Sequence, residues 1–396
     1  MSVPLAFEGI KVVDFSQGVA GPHAGLLMAM HGADVIKIEP TERGDWSRAL
    51  GRSYGDSSAF SIYYNRGKRS LALDMKSGEG RDIARRLVAR ADVIIEAFRP
   101  GVMKRFGLDY DSVKRLNENV VFLSVTGFGQ TGANIERPAT DAVIQGYSGL
   151  MSLNKDRNGL PQRFPMVAID VVTGLYACQA VMAALMRRFR FGGGQYIDCS
   201  LLQCATAFQA ARLIEHHFQG GLPEVMYVPL GVLQTKDSFI SISVNRDEHF
   251  VAFCRAIGHE TLAVDPRYAT RDGRVQHEEE LMALIRREFL QRSTAEWVER
   301  LTNADVLHAP IRSYDDLLQD QEMRDLGYLD WMRQGGIDAE VPIPNIPGTL
   351  RATAYGSLSA SPRVGQHSRE VLAELGVAER EISDLLSRGI AKSPAE

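Results

Sequence analysis

Two short apolar runs, Ile10-Lys-Val-Val-Asp-Phe15 and Asp34-Val-Ile-Lys-Ile-Glu39, flank a turn punctuated by Gly18, Gly21 and Pro22 and a helical stretch through Met28. Strand, glycine-rich turn, helix and second strand make a βαβ unit, the crossover that a parallel strand pair requires. Three further apolar runs, Leu71-Ala-Leu-Asp-Met75, Val93-Ile-Ile-Glu-Ala-Phe98 and Val120-Val-Phe-Leu-Ser-Val125, alternate with helical segments such as Gly80 to Ala89. Strands alternating with helices predict an α/β fold with a parallel, doubly wound sheet.

A long apolar helix follows from Val171 to Met186, then Gly192-Gly-Gly194, a short strand Gln195-Tyr-Ile-Asp-Cys199 and a helix from Leu201 to Phe218. Beyond Gly220-Gly221 the texture changes. The strand Phe239-Ile-Ser-Ile-Ser-Val244 alternates apolar and polar residues, and charged helices run over Asp247 to Ile257, His277 to Leu290 and Ala295 to Leu301. Past about Asp325 the chain is rich in proline and glycine (Pro342, Pro344, Pro347, Gly348), then carries helical stretches at Val371-Leu-Ala-Glu-Leu375 and Ile382-Ser-Asp-Leu-Leu386. At 396 residues the chain exceeds one simple core. The expected division is a large Rossmann-like domain over residues 1–220, a smaller α+β domain over 221–325, and a segment over 326–396 that returns to the large domain.

An apolar content of 45% with 24% charged residues is that of a globular protein. The net charge of −4 supplies no basic surface for nucleic acid, and Arg187-Arg188-Phe189-Arg190 reads as the polar end of a helix. The N-terminal residues lack the layout of a signal peptide, and no uninterrupted apolar stretch approaches the ~20 residues of a membrane span, so a cytoplasmic protein without membrane contact is expected. The four cysteines form no CxxC pair and the nine histidines no HExxH spacing, which predicts free thiols and no structural metal.

Several chemistries compete at the level of motifs. Gly18, Gly21 and Gly25 sit on the first βα turn, and Glu39 closes the second strand where a ribose-binding acid would stand. The spacing is GxxGxxxG and not GxGxxG, so a tight turn with close helix packing accounts for it better than a nicotinamide site. Ser148 in Gly146-Tyr-Ser-Gly149 has its second glycine one residue too early for a nucleophile elbow and reads as a turn serine. His23, His31, His216 and His217 have no paired Ser or Cys motif and read as surface or packing residues. Asp170 stands alone between Met166-Val-Ala-Ile169 and the long apolar helix. A carboxylate at a helix start faces unpaired N–H groups and should stay ionised, either as a helix cap or as an available nucleophile. In Glu96-Ala-Phe-Arg-Pro-Gly101, with Lys104-Arg105-Phe106 just beyond, Phe98 could stack on a base while Arg99 and Arg105 meet phosphates; the alternative is a solvated helix start with one core phenylalanine.

With these pieces in order, the chain resembles the family III CoA-transferases, the group that includes formyl-CoA:oxalate and carnitine CoA-transferases and the related α-methylacyl-CoA racemases. The blocks that carry the resemblance are Leu5-Ala-Phe-Glu-Gly-Ile-Lys-Val-Val-Asp-Phe15, Ala20-Gly-Pro22, Gly32-Ala-Asp-Val-Ile-Lys-Ile-Glu39, Gly44-Asp45, Asn65-Arg-Gly-Lys-Arg-Ser70, Leu73-Asp-Met-Lys76 and Ala91-Asp-Val-Ile-Ile-Glu96. They continue through Pro100-Gly101, Thr126-Gly-Phe-Gly129, Gly194-Gln195 and Gly365-Gln-His-Ser-Arg-Glu-Val-Leu-Ala-Glu-Leu-Gly376, spanning nearly the whole chain.

The resemblance implies a CoA-transferase that moves CoA from an acyl-CoA donor to a small carboxylic acid, with coenzyme A and its thioesters as substrates and no permanently bound cofactor. It implies Asp170 as nucleophile, working through a mixed anhydride and an aspartyl-CoA thioester. Asp141 either positions the reacting carboxylates or caps the helix Ala142 to Leu150. Implied CoA contacts are Val19, Ala20, Leu73, Asp74, Met75, Lys76, Ala97, Phe98, Arg99 and Arg105. Pro40 and Val19 depart from the oxalate-type members, which carry arginine and glutamine there. The glycine-rich lid of those members is absent from Tyr227-Val-Pro-Leu-Gly231, so oxalate is not the favoured acceptor. The racemases place a histidine directly before the aspartate at the position of Thr140-Asp141; without it one base of the pair is missing, and transfer is favoured over racemisation. Arg246, Tyr227 and Gln145 are candidates for the acyl pocket. An interlocked homodimer is also implied.

Overall fold

The structure, a computed structural model, describes residues 4–156, 158–221 and 225–394, and of residues 357 and 358 the backbone alone. The chain divides into two units, Met1–Leu213 together with Glu322–Glu396, and Ile214–Gln321.

The first unit is built on strands β1 (Lys11–Asp14), β2 (Asp34–Glu39), β3 (Arg69–Leu73), β4 (Val93–Glu96), β5 (Val121–Thr126) and β6 (Gln195–Ser200). Their order across the sheet is β3-β2-β1-β4-β5-β6 with every pair parallel. This is the order of the doubly wound dinucleotide-binding sheet, whose direction reverses between β1 and β4 and opens a crevice at their carboxyl ends. A seventh strand, Ala391–Lys392, adds antiparallel to the β3 edge.

Successive side chains of a strand point to opposite faces, and here both faces are covered. Val12, Val93, Ile95, Val121 and Leu123 pack under α1 (Ala20–Met30) and the long helix Ala168–Phe191, while Val13, Ile38, Leu71, Ile94 and Phe122 pack under α2 (Gly78–Val88) and the helices Ser368–Glu374 and Glu379–Ser387. The C-terminal segment therefore belongs to the first unit's core. Arg69 fastens it, with Asp34 at 2.6 Å, Glu374 at 2.8 Å and Glu370 at 2.9 Å.

Two local expectations, both of helices, are corrected. The helix expected over Val171 to Met186 runs from Ala168 to Phe191, and its 24 residues are long and apolar enough, by length and composition, to cross a membrane. The arginines at 187, 188 and 190 ended the apolar run without ending the helix, which stops at Gly192. Its buried face, including Ile169, Ala177, Val181 and Leu185, packs into the core shared with α1. The helix expected from Leu201 to Phe218 is two, Leu201–Phe208 and Ala210–Gln219. The proline-rich stretch after Asp325 forms an antiparallel pair, Leu329–Arg333 with Glu340–Pro344, in which Pro342 and Pro344 sit on a two-stranded ribbon where few ladder N–H groups are required.

The second unit has strands β7 (Leu230–Gln234), β8 (Phe239–Ser243) and β9 (Leu307–Pro310) in an antiparallel sheet with β8 central. Its core centres on a stack in which Phe289 lies 4.3 Å from Trp297 and 6.2 Å from Phe253, and the Trp297 indole N–H donates to the Phe289 carbonyl at 2.9 Å.

Candidate active site

The turn after β1 is held from below by six buried charges. Lys68 meets Asp14 at 2.8 Å, Lys37 meets Asp45 at 2.9 Å, and Arg48 meets Glu39 at 2.8 Å. Burial would raise Asp14 and Asp45, but the neighbouring lysines outweigh it and hold both carboxyls below their ordinary values. Burial likewise pushes Lys68 down to about 8 against the pull of Asp14. The network then grips backbone: Lys37 donates to the Ser16 carbonyl at 2.5 Å, Gly18 N–H donates to Asp45 at 2.9 Å, and Ser16 N–H donates to Asp14 at 2.9 Å. Glu39 is fully enclosed by Arg48, Ser70 and the Asp45 N–H, which removes it as a ribose acid. The glycines of the turn serve close approach. A Cβ at Gly18, whose φ is +85°, would lie 2.3 Å from the Trp46 ring, one at Gly21 2.4 Å from Ser16, and one at Gly25 2.9 Å from Asp14.

Above this turn lies a cleft of about 210 Å3 at the β1–β4 crevice. Its walls include Val19 and Ala20, then Ala97, Phe98 and Arg99 after β4, and on the far side Asp141 and Asp170. Seven of the twelve residues singled out from the sequence thus meet in one place. Next to it, sharing Gln17 and Phe98, a groove of about 270 Å3 runs along the ends of β2 and β3 and is lined by Leu73, Asp74, Met75 and Lys76 together with Phe106. Arg105 borders neither hollow and lies exposed on the short helix Val102–Phe106.

The loop after β4 is set by Glu96. Its carboxylate accepts from the Phe98 N–H at 2.9 Å and from the Ser124 hydroxyl, and burial, reinforced by Asp198, pushes it up to about 7. A buried acid therefore fixes the backbone that carries Phe98 and Arg99.

The surroundings of Asp170 overturn two sequence expectations. Asp170 does not cap its helix. It lies in the first turn of α4, the helix Ala168–Phe191, whereas α3 (Asp141–Tyr147) supplies the cap from elsewhere in the chain. The Asp141 carboxylate accepts from the N–H groups of Ile169 at 2.7 Å and Asp170 at 3.1 Å, and from the Gln145 side chain at 2.6 Å. Asp141 thus caps α4 and not the helix that it begins. With those N–H groups bound to Asp141, Asp170 holds its proton to higher pH than a helix-start acid should. Burial, joined by the like charge of Asp141, pushes it up to about 7, and its carboxylate has no hydrogen-bond partner among the described residues.

Gln145 closes the clamp, donating to the Met166 carbonyl at 3.2 Å and accepting from Phe164 N–H at 2.9 Å. It is a buried scaffold residue. His23, read as a packing histidine, is buried against the same helix start. Its Nδ1 lies 3.1 Å from the Val171 carbonyl, its ring stands edge-on to Tyr64 at 5.4 Å, and burial pushes it down to about 4, so the neutral ring donates to that carbonyl. Gly174 permits this, since a Cβ there would lie 2.6 Å from His23. The signal in the sequence is that α1 has no polar face: every residue of Ala20–Met30 is buried, His23 included.

A parallel doubly wound sheet with a crevice over its reversal point, a carboxylate inside it without a hydrogen-bond partner among the described residues, and beside it a largely apolar groove that carries Lys76 define an α/β protein with a ligand site at the carboxyl ends of its strands. Residues 7–368 match CoA-transferase family III, and the chain belongs to that family. It is 34% identical over 387 residues to the succinate–glutarate CoA-transferase of Agrobacterium fabrum, covering 94% of this chain and 96% of that protein. It is 30% identical to the human succinyl-CoA:glutarate CoA-transferase, covering 97% and 89%. Among solved structures, a CAIB/BAIF family protein from Brucella suis superposes with a TM-score of 0.83 at 32% identity, covering 94% of this chain and all (100%) of that one. The chain is an acyl-CoA:carboxylate CoA-transferase, and its substrates are CoA thioesters.

Proposed function

We propose that Asp170 is the nucleophile of the transfer and that the groove and cleft together hold the acyl-CoA. The observation that carries this reading is that the Asp170 carboxylate, in the crevice where α/β sheets bind ligands, has no hydrogen-bond partner among the described residues. An Asp170 oxygen attacks the thioester carbon, the C–S bond breaks, and CoA leaves as thiolate from a mixed anhydride. The thiolate attacks the Asp170 acyl carbon of that anhydride, releasing the donor acid and leaving an aspartyl-CoA thioester. The acceptor carboxylate attacks this thioester, expelling thiolate, which then attacks the acceptor's acyl carbon and restores the Asp170 carboxylate. Thioester energy is conserved at each step provided that water is kept from the anhydride.

A nucleophile pushed up to about 7 suits these steps, because it is substantially ionised at neutral pH and more basic than an ordinary carboxylate. Asp141 and Gln145 are positioning residues that fix the start of α4, and Asp141 also sets the charge that Asp170 feels. In this reading Met75, Phe98 and Phe106 of the groove offer apolar surface to the adenine, Lys76 of the groove and Arg99 of the cleft meet the phosphates, and Val19, Ala20 and Ala97 of the cleft border the arm that reaches Asp170. Arg105 contributes from the exposed rim. Succinyl-CoA with glutarate, named for the relatives, is the first pair to try.

The test is to incubate the protein with a panel of acyl-CoA thioesters without acceptor and to follow the peptide carrying Asp170 by mass spectrometry. Acyl or CoA mass on Asp170, absent in Asp170→Asn, is the expected result. Measured CoA binding with no adduct from any donor would overturn it.

A further inference from the structure

One cation in the cleft has no part in the steps above. Arg137 lines the same cleft as Asp141 and Asp170, on the far side from the groove, and forms no ion pair among the described residues. Its guanidinium carbon instead lies over aromatic rings, 4.8 Å from the centre of Tyr147 and 5.5 Å from that of Phe128. Those rings meet edge-to-face at 5.1 Å, and the Tyr147 hydroxyl accepts from the Asn134 amide at 3.1 Å. The backbone N–H of Arg137 donates to the Asn134 carbonyl at 2.9 Å. Gly127 draws this segment onto the end of β5, since a Cβ there would lie 2.1 Å from Ala139. The rings hold the cation by cation–π attraction, and its guanidinium N–H groups, without a hydrogen-bond acceptor among the described residues, form a fork matched to a carboxylate.

Asp141 and Asp170 make the reacting end of the cleft acidic, so a second negative charge on the substrate would be repelled unless a cation received it. Arg99 and Arg137 are the two cations of the lining, and Arg99 stands on the loop assigned to CoA. We propose that Arg137 is the specificity-determining residue, gripping the far carboxylate of a linear dicarboxylic acid while its near carboxylate reacts at Asp170; the proposal rests on the Asp170 reading. It makes the preferred acceptor a dicarboxylate and not a fatty acid of equal length.

Glutarate and pentanoate, the same chain with and without the second carboxylate, serve as competing acceptors with succinyl-CoA as the single donor, so that donor effects cancel in the ratio of their kcat/KM values. The wild type is expected to prefer glutarate. One or two charge-assisted hydrogen bonds lost in Arg137→Gln should lower that preference by about 10–100-fold, with Arg137→Lys between the two because it keeps the charge without the fork. A wild type without preference for glutarate, or an unchanged ratio in Arg137→Gln, would overturn the proposal. An unchanged ratio with weaker inhibition by free CoA would place Arg137 on the phosphates instead. Acceptor selectivity and the mass adduct on Asp170 are separate readouts, so the two readings fail separately.

Discussion

Beneath the β1 turn, Asp14, Asp45 and Glu39 each meet a cation, at 2.8, 2.9 and 2.8 Å, and all are buried. In the cleft just above, among the described residues, the Asp170 carboxylate has the like charge of Asp141 for a neighbour and no cation, and the Arg137 guanidinium has aromatic rings and no acid. The first region holds charge in matched pairs that lock backbone; the second keeps charge unmatched until substrate arrives. A buried ion pair is a weak source of stability compared with apolar packing but is expensive to break, so it specifies geometry. An uncompensated carboxylate costs folding energy and supplies reactivity, the opposite trade.

The largest effect that can break this contrast is on turnover. Asp170→Asn, which keeps size and removes the nucleophile, should lower kcat on the order of 10^4-fold. Turnover within tenfold of wild type would reduce Asp170 to a bystander. On the paired side, Lys37→Met takes from buried Asp45 its cation at 2.9 Å, while Asp14 keeps Lys68, and should lower unfolding free energy by about 3–5 kcal/mol, read by denaturant or heat. A change below about 1 kcal/mol would show the network to be slack.

The same Asp170→Asn variant should move stability the other way. A carboxyl whose folded value lies above its unfolded value binds more protons when folded, so its stability contribution is greatest at low pH and is lost as pH rises from about 4 to about 7. The full shift corresponds to about 4 kcal/mol, and partial exposure of the side chain reduces the expected gain in Asp170→Asn to about 1–2 kcal/mol at pH 8, vanishing near pH 4. Equal stability at both pH values would mean that Asp170 is not strained. The smallest effect concerns pH and rate. Adduct formation should rise with pH through about 7 as Asp170 ionises, and Asp141→Asn should displace that rise toward lower pH, by up to about one unit, because the like charge is gone and N–H groups of α4 return to Asp170. A profile that does not move would remove Asp141 from the electrostatics of the site.

The strands were legible because a parallel sheet covered on both faces leaves uninterrupted apolar runs, as in Val121–Thr126, where every residue is buried. Lys37 shows the limit of that reading. In Asp34–Glu39 it breaks the pattern of a buried strand, and only the fold supplies Asp14 and Asp45 as its partners. The blocks Gly44-Asp45 and Asn65 to Ser70, which carried the family resemblance, prove to be scaffold for the β1 turn: Asn65 and Lys68 bind there and Ser70 holds Glu39. The position of Asp170 at a helix start was readable, but its charge state was not. That depends on Asp141, which lies 29 residues away and takes the N–H groups that local reasoning assigned to Asp170. Arg137 belongs to no motif, and its surroundings of two rings and two acids come together only in the folded cleft.

The first unit is discontinuous, with Ile214–Gln321 lying between its two pieces in the chain. On the ribosome this imposes a timetable. The second unit emerges as one contiguous stretch and can fold during synthesis, whereas the parallel sheet must wait with its β3 edge uncovered until Ala391–Lys392 arrives to pair with Ala72 and Leu73. That edge leads directly into Asp74, Met75 and Lys76 of the groove. The groove proposed for CoA therefore borders an edge that is covered only after the whole second unit has been made, and until then the chain exposes a bare sheet edge to other nascent chains.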